Sequence, residues 1–280
     1  MAVPIRSIPS FSGGSRVSHG MGKSFKPFRG KTGVVFDIKA YSKDNSELLW
    51  TRKAENLITT IGSEQLLINT FPASGETAIS AWYVGLMATA DYNATGSMTS
   101  GSADLTLGTA LPTAMIVGQV VTVVGAGTSG ANLVTTISSV TSTTAYVLAT
   151  AAGTTVSSAT VVAGPQLAIA DTSASHAGWV EATTSQVTQT VRASYTVAAV
   201  SNVSGNGTKT NGANPAAYTG NTVSWWMSGV FLASSDVIGS TTDTLLSEAP
   251  FSSSSTPPGA ALVQSGTNLQ ITAVFTMNAG

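Results

Sequence analysis

Apolar and polar residues alternate with a period of two at both ends of the main body of this chain. Val34, Phe36, Ile38 and Ala40 fall on one side of such a pattern, and Asp37 and Lys39 on the other. Leu269, Ile271, Ala273, Phe275 and Met277 alternate in the same way with Gln270, Thr272 and Thr276. Both stretches predict strands with one buried and one wet face, as in a sandwich. "YSKDNSELLW" reads as a hairpin turn into a further strand, with Asp44 and Asn45 supplying the turn chemistry. "AWYVGLM", residues 81–87, reads as a buried strand. Val191, Ala193, Tyr195, Val197 and Ala199 are expected to share one face, opposite Arg192, Ser194 and Thr196. In "TVSWWMSGVFLAS", Val223, Trp225, Met227 and Phe231 form the expected core face, which turns Trp226 outward with Ser224 and Ser228. Trp226 is therefore a candidate interface anchor, the alternative being a Trp covered by the chain's own loop. "GSEQLLINTF" is the one helix candidate, with Ser63 as its cap and Glu64 in its first turn. The segment "VSNVSGNGTKTNGANPAAYTGN" reads as a long polar loop.

Two segments depart from this pattern. Residues 96–166 are dominated by Ala, Thr, Ser, Gly and Val, and Asp104 is their only charge. Strands are predicted there at 104–107, 119–124, 132–140, 144–149 and 159–163, separated mostly by Gly or Ser/Thr turns. Residues 1–33 show no period. Ile5, Ile8, Phe11, Phe25 and Phe28 are interspersed there with Arg6, Arg16, Lys23, Lys26, Arg29 and Lys31, and no acid is present. The expectation is an all-β chain in three parts. An antiparallel β-sandwich with one short helix, 34–95 and 167–280, hosts an inserted small β domain, 96–166. An extended basic N-terminal arm, 1–33, gains order by lying on a partner.

Composition sharpens this picture. Charged residues are 9% of the chain, against about 25% in an ordinary soluble domain. From Ala54 to Val191 there is no Lys or Arg. Such a surface suits a permanent assembly, because obligate interfaces are depleted in charge. No apolar run approaches the roughly 18 residues of a spanning helix, so no membrane partner is expected. The opening "MAVPIRSIPSFSGG" lacks the apolar core of a secretory signal. With no cysteine, disulfides and thiolate catalysis are excluded. Six basic charges spread over the arm are a thin basis for specific nucleic-acid binding, which is not expected.

Candidate chemistry is sparse. "VVTVVGAGTSGANLV" carries the spacing G-x-G-x-x-G in Gly125, Gly127 and Gly130. A dinucleotide site needs those glycines to lead a strand into a helix, with an acidic residue about 20 positions on. Here "ANLVTTISSVTSTTAYVLAT" follows, which reads as strands, and the next carboxylate is Asp171. A plain turn is expected, and no cofactor. Ser175, His176 and Asp171 lie too close along one loop to form a nucleophile triad, so a turn His packed near Trp179 is expected. Two isolated histidines and scattered acids offer no metal site. Glu76, Asp91, Asp171 and Glu181 are the only candidates for a glycan-cleaving pair, and nothing in their spacing brings them together. The expectation is a protein that is not an enzyme.

"FDIKAYSKDNSELLWTRKAENLITTIGSEQLL", "AWYVGLM", "DTSASHAGWVEAT", "VFLAS" and "GTNLQITAVFTM" resemble a group of tailed-bacteriophage virion proteins encoded near the major capsid protein gene. The resemblance covers about residues 34–93 and 171–280. The segment from "LPTAMIVGQVV" to "VSSATVV" resembles small β modules of phage tailspikes and fibres. The resemblance implies a structural virion protein, assembled in the host cytoplasm. A capsid decoration or cement protein on the major capsid lattice is the first expectation, and a tail-fibre or tail-adaptor subunit the second. A surface-displayed carbohydrate-binding module is a third, of another class, with a host-surface glycan as ligand. The expected partners are the major capsid protein or other virion proteins and further copies of the chain, a trimer first. Ile5, Ile8, Phe11, Arg16, Lys23, Phe25, Lys26, Phe28, Arg29, Lys31 and Trp226 are the expected interface residues. The arm lies outside the resemblance.

Overall fold

The computed structural model describes residues 33–89, 93–111, 114–166, 168–196, 201–203, 206–251 and 259–278. The ten arm residues expected at an interface, from Ile5 to Lys31, lie outside the described residues, as do Asp91, Val197 and Ala199. The chain opens with β1 (Gly33–Tyr41), β2 (Leu48–Glu55), β3 (Leu57–Ile58), α1 (Thr60–Thr70) and β4 (Tyr83–Ala88). It continues through β5 (Asn93–Met98), β6 (Asp104–Leu107), β7 (Val120–Val123), β8 (Leu133–Val140), β9 (Ala145–Leu148) and β10 (Val156–Ala163). The last part holds β11 (Val180–Glu181), β12 (Ala193–Ser194), β13 (Ser201–Val203), β14 (Asn206–Thr210), β15 (Ala216–Thr219), β16 (Trp225–Ala233), β17 (Leu245–Pro250), β18 (Ala261–Val263) and β19 (Asn268–Asn278). The protein is all-β, with antiparallel sheets and one short α-helix among the described residues.

Two sheets pack face to face. One runs β13-β14-β19-β1-β2, with β15 also on β19; the other runs β11-β4-β16-β17-β3, with β12 on β4 and β18 on β16. The period-two stretches form the heart of the first sheet, where β1 and β19 pair from Gly33↔Thr276 to Tyr41↔Asn268. Phe36, Ile38, Ala40, Leu269, Ile271 and Ala273 are fully buried. They meet Leu86, Val230, Leu232 and Ala249 of the second sheet in one apolar cluster. Each large side chain so buried stabilises the fold by roughly 1.5–3 kcal/mol. The β1–β2 turn follows its chemistry: Asn45 takes φ 59, and the Asp44 carboxylate accepts from the Ser42 and Ser46 hydroxyls and the Ser46 amide.

A closed barrel, β10-β5-β6-β9-β8-β7, interrupts the second sheet. Its strands pair only with one another, and Leu105, Val121, Val123, Ile137, Tyr146 and Val161 fill a core of its own. All five strands expected here form, but the first strand was missed: the barrel starts at β5, whose Thr, Gly and Ser hide its alternation. The first and last strands are neighbours, with Val162 opposite Asn93. Outside the barrel, β4 and β11 also pair, Val180 opposite Ala88. The barrel thus stands at the tip of a host hairpin.

Four local expectations are corrected. The helix cap is Thr59, whose side chain accepts from the Gly62 amide, and no acid sits in the first turn. The helix starts ahead of Ser63 because the Thr59 hydroxyl also donates to the Leu245 carbonyl of β17, which fixes its start on the sheet. The polar stretch expected as a loop contains β13, β14 and β15, which lie along the edge of β19. In β15 only the alternate residues Ala216 and Tyr218 are buried, so short strands of this kind carry few apolar residues and read as polar loop. At 191–192 the expected phase inverts: Val191 is 49% exposed and Arg192 is 3% exposed, because buried acids hold the guanidinium. In β16, Val223 precedes the strand and is 55% exposed. A register shift between Met227 and Gly229 then breaks the alternation. Val230 and Leu232 take the inter-sheet side, and Phe231 turns to the other face with Trp179 and Met87.

Candidate functional site: a buried acidic and aromatic cluster

That other face of β16 carries the densest chemistry in the structure. The Phe231 ring covers Gly85 of β4, where an added Cβ would stand 2.1 Å from Phe231 Cζ. Trp179 packs on Phe231 with ring centroids 5.0 Å apart, and His176 stacks on Trp179 at 3.7 Å and 9° between planes. Gly178 makes this approach feasible: it has φ +84, and a Cβ there would lie 2.6 Å from the Gln166 amide nitrogen. The turn His expected beside Trp179 is therefore found there.

Trp179 Nε1–H donates to Glu248 Oε1 at 3.0 Å. Glu248 sits on β17 with no solvent exposure. Burial first, then the charge of nearby Asp171, pushes the Glu248 carboxyl up to about 8. Asp171 is itself buried, and its Oδ2 accepts from the Ala168 amide at 2.7 Å. Glu248 Oε2 is buried without a hydrogen-bond partner, which favours the protonated carboxyl over the charged one.

Arg192 commands the second half of the cluster. Its Nε and Nη2 reach the two oxygens of Glu181 at 2.7 and 2.9 Å, a bidentate pair. Its Nη1 donates to the Ser235 carbonyl at 2.8 Å and to Asp243 Oδ2. The guanidinium carbon lies 5.1 Å from the Phe231 ring centre. The Gly239 amide also donates to Glu181, and the Ser173 hydroxyl donates to the Asp243 carbonyl. Arg192 therefore fastens the strand at 181, the strand at 192 and the loop 235–243 to one another. The acids hold its pKa up against the opposing effect of burial, which is the largest single influence.

A pocket of about 280 Å³ opens beside these groups, lined among others by Ser173, His176, Trp179, Glu181, Arg192 and Phe231. His176 Nδ1 is buried and bonded to nothing. Among the described residues no hydroxyl is hydrogen-bonded to His176, so the nucleophile–base–acid chain is not assembled. Burial lowers the His176 pKa, which favours the neutral ring. Of the acids considered for glycan cleavage, Glu76 accepts from the Ala73 amide on a separate loop, and Glu181 is committed to Arg192. Asp171 is committed to the Ala168 amide and Glu248 to the Trp179 indole. Trp179 is only 3% exposed, with His176 over its face, so it offers no open stacking platform. Among the described residues no three His, Asp or Glu side chains gather as metal ligands.

The glycine loop has the geometry of a turn. Gly125 and Gly130 take positive φ, and a three-residue 3-10 turn leads from β7 back into antiparallel β8. Trp226 is half-buried opposite Leu262 of β18, and lines a pocket of about 210 Å³ with exposed Val223. The Trp225 indole nitrogen on the same pocket is buried and unpaired.

Sequence reasoning singled out Asp171, His176 and Glu181 but missed Arg192, Asp243 and Glu248. One signal was present: Arg192 is the first cation after Lys53, alone in an apolar alternation. A lone charge in such a setting asks for a buried partner. No protein-family model, curated protein or solved structure matches the chain.

Proposed function

We propose that this chain is a non-enzymatic structural subunit of a tailed-phage virion, most simply a decoration protein that binds the major capsid lattice and stabilises the head. The observation that carries the reading is how the charged cluster is used. Arg192 is bonded to Glu181 and Asp243, and Glu248 to the Trp179 indole, a pattern that supports groups which fasten loops rather than act on a substrate. The low charge content and the resemblance to virion proteins point the same way. Its action is mechanical: it buries weakly charged surface on neighbours. The basic arm, with its spaced Ile and Phe residues, then serves as a strap onto an adjacent subunit.

The test is the copy number in purified particles, read by quantitative mass spectrometry. Hundreds of copies support a head lattice. A small multiple of three or six supports the second reading, a tail-fibre or adaptor subunit, which the compact closed barrel at the tip of a hairpin favours. Absence from particles overturns both. The strap is tested separately. Cleavage by trypsin after Arg16 and Lys23 should be fast in free subunits and much slower in particles, and equal rates would remove the strap from the proposal.

A further inference from the structure

At the end of β4 that leads to the barrel, the pocket of about 210 Å³ beside Trp226 opens between three pieces of chain. Ala88 and Thr89 form one side, Ser185 and Gln186 a second, and Val223 to Trp226 the third. Hydrogen bonds hold these pieces together. The Thr89 amide donates to the Trp226 carbonyl at 3.2 Å, and the Asn221 amide to the Gln186 carbonyl at 2.8 Å. Asn221 Nδ2 also donates to the Thr184 carbonyl at 2.7 Å. No charged side chain lines the pocket.

Two of its polar groups are left over by the fold. Gln186 has its Oε1 committed to the Thr183 amide at 2.9 Å and the Thr183 hydroxyl at 2.7 Å. These bonds fix the side chain, while its Nε2 donates to no partner among the described residues. Trp225 is only 7% exposed, and its indole nitrogen is buried with no acceptor. An orphaned buried donor calls for an acceptor that the fold itself does not supply. Beside these donors stand the half-buried Trp226 and the exposed Val223.

An aromatic wall, free N–H donors and no charge select a neutral ligand with an apolar face and oxygens at its edge. A pyranose ring has that form, with C–H groups on a face and hydroxyls around the rim. An extended peptide would need an open strand edge. Both flanks of β16 are taken here, by β4 at Met227↔Ala88 and by β18 at Trp225↔Val263. An anion would find no cation among the lining residues.

We propose that this pocket binds one sugar unit of a neutral glycan, its ring against Trp226 and a hydroxyl accepting from Gln186 Nε2. The site belongs to the sandwich, next to the root of the barrel, and does not depend on where in a virion the protein sits.

The experiment uses the full chain with isotope-labelled tryptophan, whose five indole N–H signals are resolved by NMR and assigned by single Trp→Phe substitutions. The probes are maltotriose, lactose, mannotriose and chitotriose. At least one should shift the Trp226 signal saturably, with an affinity on the order of millimolar for a single seated ring. The Trp50, Trp82 and Trp179 signals should stay in place. Gln186→Glu keeps the oxygen that Thr183 bonds and removes the free donor. It should weaken binding about tenfold with an unchanged urea midpoint. Trp226→Ala should abolish binding, read by saturation transfer to the sugar. No saturable shift with any of the four sugars, shifts confined to the other tryptophans, or equal affinity in Gln186→Glu overturns the proposal. A response only to sialyllactose or to a proline-rich peptide also overturns it, and assigns the pocket to an anion or a peptide.

Discussion

Replacing Glu248 by Gln should make this protein more stable in mild alkali and leave it nearly unchanged in acid. In the folded protein the Glu248 carboxyl is raised from 4.5 to about 8 by burial and by Asp171. The folded state therefore keeps a proton that the unfolded chain releases above 4.5. The stability this proton supplies is complete below pH 4.5 and is lost as pH climbs to about 8. Each pH unit in that window removes about 1.4 kcal/mol, so the full loss is on the order of 4 kcal/mol. Gln mimics the protonated acid: its carbonyl accepts from Trp179 Nε1, with nothing to titrate. Urea midpoints read by tryptophan fluorescence, at intervals between about pH 5 and about pH 8.5, give the difference between variant and wild type. That difference should grow with pH by several kcal/mol. Burial lowers the His176 pKa from 6.5, so charging it destabilises the fold as pH falls. Both proteins carry His176, with Asp171, Glu181, Arg192 and Asp243 around it, so the difference isolates Glu248. Parallel pH profiles would refute a raised Glu248 carboxyl.

Arg192→Ala should destabilise the sandwich by about 3–5 kcal/mol, because it leaves Glu181 and Asp243 buried and unpaired. Thermal melting by circular dichroism measures this, and adding Glu181→Gln should recover part of the loss. Gly127→Asp should weaken the barrel, since a Cβ there meets the Ala131 carbonyl oxygen at 2.8 Å and that of Asn132 at 2.9 Å. Calorimetry showing saturable NAD or ATP binding that this variant abolishes would overturn the reading of the loop as a turn. Excising residues 90–163 and bridging Thr89 to Gly164 with a short linker should leave a sandwich that still unfolds cooperatively, since the barrel strands pair only among themselves. A broad, non-cooperative melt of the remainder would count against it.

The parts of this fold that were legible in the sequence are those where one face is buried without interruption. Val34 to Ala40 and Leu269 to Ala273 announce themselves because central strands force strict alternation. The strands β13 to β15 do not, because they are short and mostly polar, and too few residues alternate in any one of them to set a period. The bulge in β16 is invisible for a different reason. It moves Phe231 to the opposite face by one residue, a choice made by the pairing with β4 rather than by β16's own composition. The Thr59 cap depends on a carbonyl nearly two hundred positions away. The candidate site was half legible. Asp171, His176 and Glu181 share one segment, but their partners arrive from β12, β17 and the loop before it. Only the topology brings those together.

The side-by-side ends of the barrel bear on how such a chain diversifies. β5 and β10 are hydrogen-bonded neighbours, and so are the host strands β4 and β11 on either side of the junction. A segment that leaves and rejoins its host at one place can be exchanged by recombination without re-registering either sheet. Substitutions facing its interior are felt by its own closed core. A lineage carrying this architecture can change the barrel while keeping the sandwich strands in register.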